Sequence, residues 1–245
     1  MLILFDIDLT LVNTHGSGMR CLQEAGRALF GPGFSAEGVD YGGRLDPLIV
    51  RDLLVNSGVE PTAEHARSLR AGYAERMHAA YNSGGARSEP LPGTHGLVES
   101  LSGLGGVTLG VLTGNFEETG TLKLRHAGFD MDRFAVRVWG DCSPKDPPHR
   151  SDLPPIGIER FASMQEGATD PQQVVIIGDT VHDVSCALDN GCRVLAVATG
   201  HHDADRLDRA GAHRVVGDLT RTEDIVAWLT DPETSNPIST QAGRA

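Results

Sequence analysis

Residues 2–5 form an unbroken apolar run, Leu2-Ile3-Leu4-Phe5, which Asp6 closes abruptly, and Asp8 follows two residues later. A short continuous apolar run bounded by polar residues predicts a strand buried on both faces. Such a strand restricts the fold, because both of its faces must be covered. Further short apolar runs recur at 107–112, 134–139, 173–177 and 193–198, with a weaker one at 213–216. The segments between them carry helical periodicity, at 94–101, up to Gly128, at 153–165, after Thr180 and at 221–229. After Thr180, residues Val181, Val184, Ala187 and Leu188 share one helical face, and Gly191 stands where a helix of that length would stop. Strands alternating with helices predict an α/β fold with a parallel sheet joined by right-handed crossovers.

The stretch between the first two strands has a different texture. After the flexible Asn13-Thr14-His15-Gly16-Ser17-Gly18, residues 19–83 read as helical, with no convincing strand. Leu45, Leu48, Ile49 and Leu53 form one apolar stripe. A second helix is expected to open at Pro61-Thr62-Ala63-Glu64, with the proline in its first turn. Asn82-Ser83-Gly84-Gly85 would end it, and Glu89-Pro90-Leu91-Pro92-Gly93 reads as a linker or turn. The expected organisation is a sheet-bearing core from residues 1–13 and 90–230, a helical insert at 14–89, and a flexible tail at 231–245.

At 245 residues the chain is long enough to bury a substantial core, and its net charge is −12. An acidic chain argues against a nucleic-acid or anionic-membrane surface, which would want basic patches. No apolar stretch approaches the length of a membrane span. Cys21, Cys142, Cys186 and Cys192 have neither CxxC nor zinc-ligand spacing, so reduced thiols and a cytoplasmic location are expected.

In a parallel sheet, ligands bind beyond the carboxyl ends of the strands. Asp6 and Asp8 follow the first strand, Thr113 the second and Asp179 the fourth, with Asp183 one helical turn further on. Lys145, His149 and Arg150 lie in the loop before the helix that leads to the fourth strand. Taken alone, Asp6 and Asp8 could be solvated turn residues. With Asp179 and Asp183 they become a hard-oxygen set of the kind that holds Mg²⁺. A hydroxyl, glycine amides and a fixed cation beside them suit a phosphate.

These residues resemble the four motifs of the haloacid dehalogenase superfamily, and within it the phosphoglycolate phosphatase-like hydrolases. The matching segments are Phe5-Asp6-Ile7-Asp8-Leu9-Thr10-Leu11, Leu112-Thr113-Gly114-Asn115, a basic residue before a helix, and Ile177-Gly178-Asp179-Thr180-Val181-His182-Asp183. The resemblance implies a Rossmann-like core with a helical cap inserted between the first and second motifs. It also implies Asp6 as a nucleophile that forms an aspartyl-phosphate, and Asp8 as the acid–base group. Mg²⁺ would be held by Asp6, the Asp8 carbonyl and Asp179, while Asp183 would fix metal waters or the basic residue. Thr113, Gly114 and Asn115 would border the phosphoryl group, and the substrate would be a small phosphate ester, with phosphoglycolate leading. In the cap, Arg44 either clamps a substrate anion or pairs locally with Asp46.

Two departures from the commonest pattern stand out. Leu9 occupies a position where glycine is frequent, which has no consequence for charge. In the third motif the cation is Arg150, which stands closer to the following helix, or Lys145. His201-His202 reads as a solvated loop before a helix, His182 as an exposed residue near the site, and Trp139 and Trp228 as packing residues. A phosphosugar mutase would share the core and the nucleophile. A phospho-accepting signalling domain would carry its acceptor after the third strand and would lack the insert.

Overall fold

The computed structural model describes residues 1–231. The tail expected at 231–245 therefore lies outside the described residues from position 232 onward. Strands β1 (Leu2–Phe5), β4 (Thr108–Leu112), β5 (Phe134–Val138), β6 (Val174–Gly178), β7 (Arg193–Val197) and β8 (Arg214–Val216) build one sheet. Its order is β5-β4-β1-β6-β7-β8, and every pairing is parallel. Strand β1 sits in the middle because it is apolar on both sides. Ile3 and Phe5 face one core with Val175, Ile177 and Leu195, while Leu2 and Leu4 face the other with Val174, Ile176 and Val194. Each such buried aliphatic side chain contributes roughly 1.5–3 kcal/mol of burial free energy.

Helices cover both faces. Helix α4 (Thr94–Ser102) and α9 (Thr222–Thr230) supply Leu97, Leu101, Ile225 and Leu229 to the Ile3 side, and α5 (Glu117–His126) adds Leu124. Helix α6 (Leu153–Gln165) and α7 (Val181–Asp189) supply Leu153, Phe161, Val184 and Ala187 to the Leu4 side. In α7 the buried apolar positions are Val184, Cys186 and Ala187. Leu188, expected on that face, is exposed. Gly191, at φ 66°, occupies the left-handed position just past the α7 cap. Helix α8 (Ala204–Arg209) precedes β8 at the sheet edge.

The chain leaves the sheet after β1, runs out to β4 and β5, then crosses back past β1 to β6. Neighbouring strands β1 and β6 thus send their connections in opposite directions, which opens a crevice at their carboxyl ends. Asp6 and Asp179 stand at that crevice.

Helices α1 (Ser17–Phe30), α2 (Asp46–Asn56) and α3 (Ala63–Asn82) pack around their own apolar cluster, which includes Leu22, Phe34, Ile49, Leu53, Leu69, Tyr73 and Met77. Residues 31–45 are irregular rather than helical. Helix α3 starts two residues after Pro61, because the Thr62 side chain caps it by accepting from the His65 amide at 3.1 Å. A further difference lies at residues 89–90, read above as linker. They form β3 (Glu89–Pro90), antiparallel to β2 (Val12–Asn13), so both ends of the helical segment leave the sheet together. No helix among the described residues is long and apolar enough to cross a membrane.

Candidate active site

Asp6 is buried at the carboxyl end of β1, its amide donating to the Ile177 carbonyl at 2.9 Å. The next turn is held by the amides of Leu11 and Val12 donating to the Ile7 carbonyl, at 2.9 and 3.0 Å. Leu9 takes φ 57° within it. This is the left-handed region that glycine adopts without strain, so the position carries a backbone requirement that a reading by charge alone passes over.

Asp6, Asp179 and Asp183 are all buried, and each offers a carboxylate oxygen within 4.8 Å of the others. Thr10 Oγ1 donates to Asp179 Oδ1 at 3.1 Å. Gly200 lies so close that a β-carbon there would fall 1.7 Å from Asp179 Oδ2. Asp183 is anchored by the α7 capping box, accepting from the Thr180 amide at 3.0 Å and the Thr180 hydroxyl at 2.6 Å.

Arg150 is the cation that meets this cluster. Its Nη2 lies 2.6 Å from Asp183 Oδ1 and 3.2 Å from Asp6 Oδ1, and its Nη1 donates to the Gly43 carbonyl at 3.0 Å. Lys145 points elsewhere, pairing with Asp152 at 2.5 Å with its side chain 70% exposed. Burial lifts Asp6 to about 6; Arg150 opposes the shift, while Asp183 and Asp8 add to it. Burial, then Asp183 and Asp6, lift Asp179 to about 8. One arginine thus leaves an excess of negative charge among three buried carboxylates. A hard divalent cation is the group that fits such an oxygen set.

A second cluster surrounds Asp8. Asn115 Nδ2 donates to Asp8 Oδ2 at 2.8 Å and to Thr113 Oγ1 at 2.8 Å. Lys123 Nζ lies 2.6 Å from Asp8 Oδ2 and 2.5 Å from Asn115 Oδ1, and is itself buried. Burial alone would lower the Lys123 pKa, but the charge of Asp8 and then of Tyr73 and Asp46 more than reverses this. The Thr113 hydroxyl also reaches Asp6, where its hydrogen bond favours the carboxylate. Asn115 lies two residues before α5 and ties these groups together.

The helical segment closes over both clusters. The Asp46 amide donates to the Gly114 carbonyl at 2.7 Å, and Asp46 Oδ2 accepts from the Phe116 amide at 2.9 Å. A β-carbon on Gly114 would lie 2.0 Å from the Arg44 carbonyl, so only glycine permits this approach. The Arg44 guanidinium pairs with Asp52 at 2.7 Å, rather than with Asp46 as the local alternative had it. Arg70 adds a bidentate pair with Glu118 at 2.6 and 2.9 Å and a bond to Asp141 at 2.7 Å. His202 Nδ1 accepts from the Val181 amide at 3.1 Å, and His201 lines the cavity. His182 lies against the loop at Gly43. Trp139 is buried in the core, and Trp228 packs against it with Arg193 over its ring.

Lys123 and Asp46 are the site residues that the sequence reading missed. A signal for Lys123 exists, since Thr119 and Lys123 stand four residues apart on one face of α5, four and eight residues after Asn115.

A family model described as haloacid dehalogenase-like hydrolase matches residues 3–197. A phosphoglycolate phosphatase of Vibrio vulnificus (strain YJ016) is 27% identical over 229 residues, covering 92% of this chain and 95% of that protein. Among solved structures, a hydrolase from Pseudomonas syringae is similar at TM-score 0.66 and 21% identity, covering 92% of this chain and 96% of its own. The structure of CbbY from Rhodobacter sphaeroides in complex with xylulose-(1,5)bisphosphate is similar at TM-score 0.68 and 20% identity, covering 89% and 94%. Those two structures speak to the fold. The family match spans most of the chain and includes all four motifs, with both Arg150 and Lys145, and on that ground the chain belongs to the haloacid dehalogenase-like hydrolases.

Proposed function

We propose that the protein is a Mg²⁺-dependent phosphatase that hydrolyses a small phosphorylated metabolite through an aspartyl-phosphate on Asp6. The observation that carries this reading is the pairing of Asp6 with a single buried cation, Arg150, while Asp8 is tied to a separate cation, Lys123. Two carboxylates two residues apart are thereby given different surroundings, which is how a site divides nucleophile from acid–base.

In this reading, an Asp6 carboxylate oxygen attacks phosphorus in line, forming the P–O bond to Asp6 as the bond to the leaving oxygen breaks. Asp8 gives its proton to that oxygen, then takes one from the water that attacks the aspartyl-phosphate. Thr113 and the neighbouring amides of Gly114 and Asn115 hold phosphoryl oxygens, and Arg150 offsets charge on Asp6 and the phosphoryl group. Asp6, Asp179 and the Asp8 carbonyl would hold Mg²⁺, with Asp183 fixing its waters and Arg150; when bound, the ion supplies positive charge against the anionic substrate. The helical segment 14–89 acts as a cap on a core made from 1–13 and 90–230 and excludes bulk water. A cytoplasmic location belongs to the same reading and accords with four unpaired cysteines.

The test is phosphate release from a panel of metabolite esters, with and without Mg²⁺, for the wild type and Asp6→Asn. Release that needs both the metal and Asp6 supports a phosphatase. Interconversion of sugar phosphates without release would point to a phosphosugar mutase instead.

A further inference from the structure

Beyond the reacting carboxylates the crevice widens into a cavity of about 460 Å³ under the helical segment. That lies within the ~300–1,000 Å³ range of sites that enclose whole small-molecule ligands, far more than a phosphoryl group with a two-carbon acid needs. Its lining includes an apolar set, with Met19 and Leu22 from α1, Ile49 from α2, Tyr73 from α3 and Val12 from β2, beside the polar Asn13, Thr14 and His15.

The charges lining the cavity are Asp6, Asp8, Asp46 and Asp179 against Arg44, Lys123 and Arg150. Every one of these cations already has a partner: Asp52 and the Asp40 carbonyl for Arg44, Asp8 and Asn115 for Lys123, and Asp6 and Asp183 for Arg150. His15 is paired with Glu89. Asp46, by contrast, has no ion-pair partner among the described residues; its carboxylate accepts from the Phe116 amide and feels Lys123 only through space, a cation already held by Asp8. A divalent cation and a phosphate dianion cancel each other's charge, so loading the site leaves this imbalance in place. A carboxylate on the leaving group would then sit in a low-dielectric space beside an acid that only shares Lys123 with Asp8, and with no unpaired lysine or arginine to meet it.

Resting on the phosphatase reading, we propose that the leaving group of the true substrate is an uncharged, partly apolar alcohol larger than glycolate. The apolar set of Met19, Leu22, Ile49 and Tyr73 receives its carbon skeleton, and Asp46 rejects carboxylated esters. Asp46 is thus a specificity-determining residue, acting by repulsion rather than by contact with the reacting atoms.

The experiment measures kcat/KM, with Mg²⁺, for phosphoglycolate, its uncharged methyl ester and benzyl phosphate. The methyl ester and benzyl phosphate are expected to exceed phosphoglycolate by about tenfold or more, the scale set by an unpaired charge in a pocket. Asp46→Asn keeps an acceptor for the Phe116 amide and removes the charge, so it should raise phosphoglycolate relative to its methyl ester several-fold. The comparison within the wild type stands even if that variant folds poorly. Phosphoglycolate equal to or better than both uncharged esters would overturn the proposal and leave the phosphatase reading intact. Absence of phosphate release from all three, and from the wider metabolite panel, would overturn the phosphatase reading and this proposal with it.

Discussion

Lys123 Nζ lies 2.6 Å from Asp8 Oδ2, and the lysine is buried while the aspartate side chain is 39% exposed. The ammonium is therefore fixed by packing, and it holds the Asp8 carboxylate in place beside Asn115. Lys123→Met should remove this constraint along with the bond to Asn115 Oδ1. Stability should fall by about 1.5–3 kcal/mol, the range for a hydrogen bond to a charged group, and kcat by at least ~10-fold through misplacement of the acid. Urea unfolding and steady-state kinetics check the two effects. A variant with normal kcat and lowered stability would make Lys123 a purely structural residue.

Arg150 and Lys145 differ in burial and in partner, and their substitution should separate them. Arg150→Ala leaves Asp6 and Asp183 without their cation and should reduce kcat/KM by at least ~10²-fold, in the range for loss of a positioned charge in a water-excluded site. Lys145→Ala should stay within about threefold, because Lys145 is 70% exposed and points away from Asp6, and buried Asp152 keeps the Ser143 hydroxyl and the His149 amide. Kinetics of the two variants on one substrate decide the matter, and the reverse ranking would refute the assignment of Arg150.

The sheet was legible from the chain because each strand is a short apolar run ended by a polar residue, and Leu2-Ile3-Leu4-Phe5 announces a strand covered on both faces. Asp6, Asp179 and Thr113 were legible for the same reason, since they stand where those runs stop. Lys123 was not, because it lies in a helix among leucines and its role depends on which face of α5 meets the site. Asp46 was masked by its place at a helix start, where an acid has an ordinary explanation. The β2–β3 ribbon pairs residues on opposite sides of a long helical segment, and two-residue strands leave no periodicity to read.

Asp6 and Asp179 carry folded-state pKa values of about 6 and about 8, both above the ordinary aspartate value. A raised carboxyl pKa means that the folded protein binds more protons than the unfolded chain. The associated stability is present at low pH and is lost as pH rises through about 6 and then about 8. The metal-free protein should therefore show a falling Tm across that window. Mg²⁺ competes with these protons, so its stabilising shift should be larger at the upper end of the window than at the lower. Thermal melts with and without Mg²⁺ across the window test this, and a pH-independent metal shift would contradict it.

Leu9 at φ 57° makes a separate stability prediction. An L-residue in the left-handed region costs roughly 1–2 kcal/mol, and a β-branched one fits worst. Leu9→Val should lower stability by about 1–2 kcal/mol, whereas Leu9→Gly should be neutral to within about 1 kcal/mol, relief of strain offsetting glycine's unfolded-state entropy. Denaturant midpoints of the two variants provide the comparison.

The division of labour between Asp6 and Asp8 rests on a covalent intermediate, which can be observed directly. The protein, with Mg²⁺ and an ester that it turns over, is quenched in mild acid during the steady state, digested, and its peptides examined by mass spectrometry. The account predicts a phosphoryl adduct on Asp6 that accumulates in Asp8→Asn, where hydrolysis of the intermediate lacks its base, and that is absent from Asp6→Asn. An adduct on another residue, or turnover by Asp6→Asn at the wild-type rate, would contradict it.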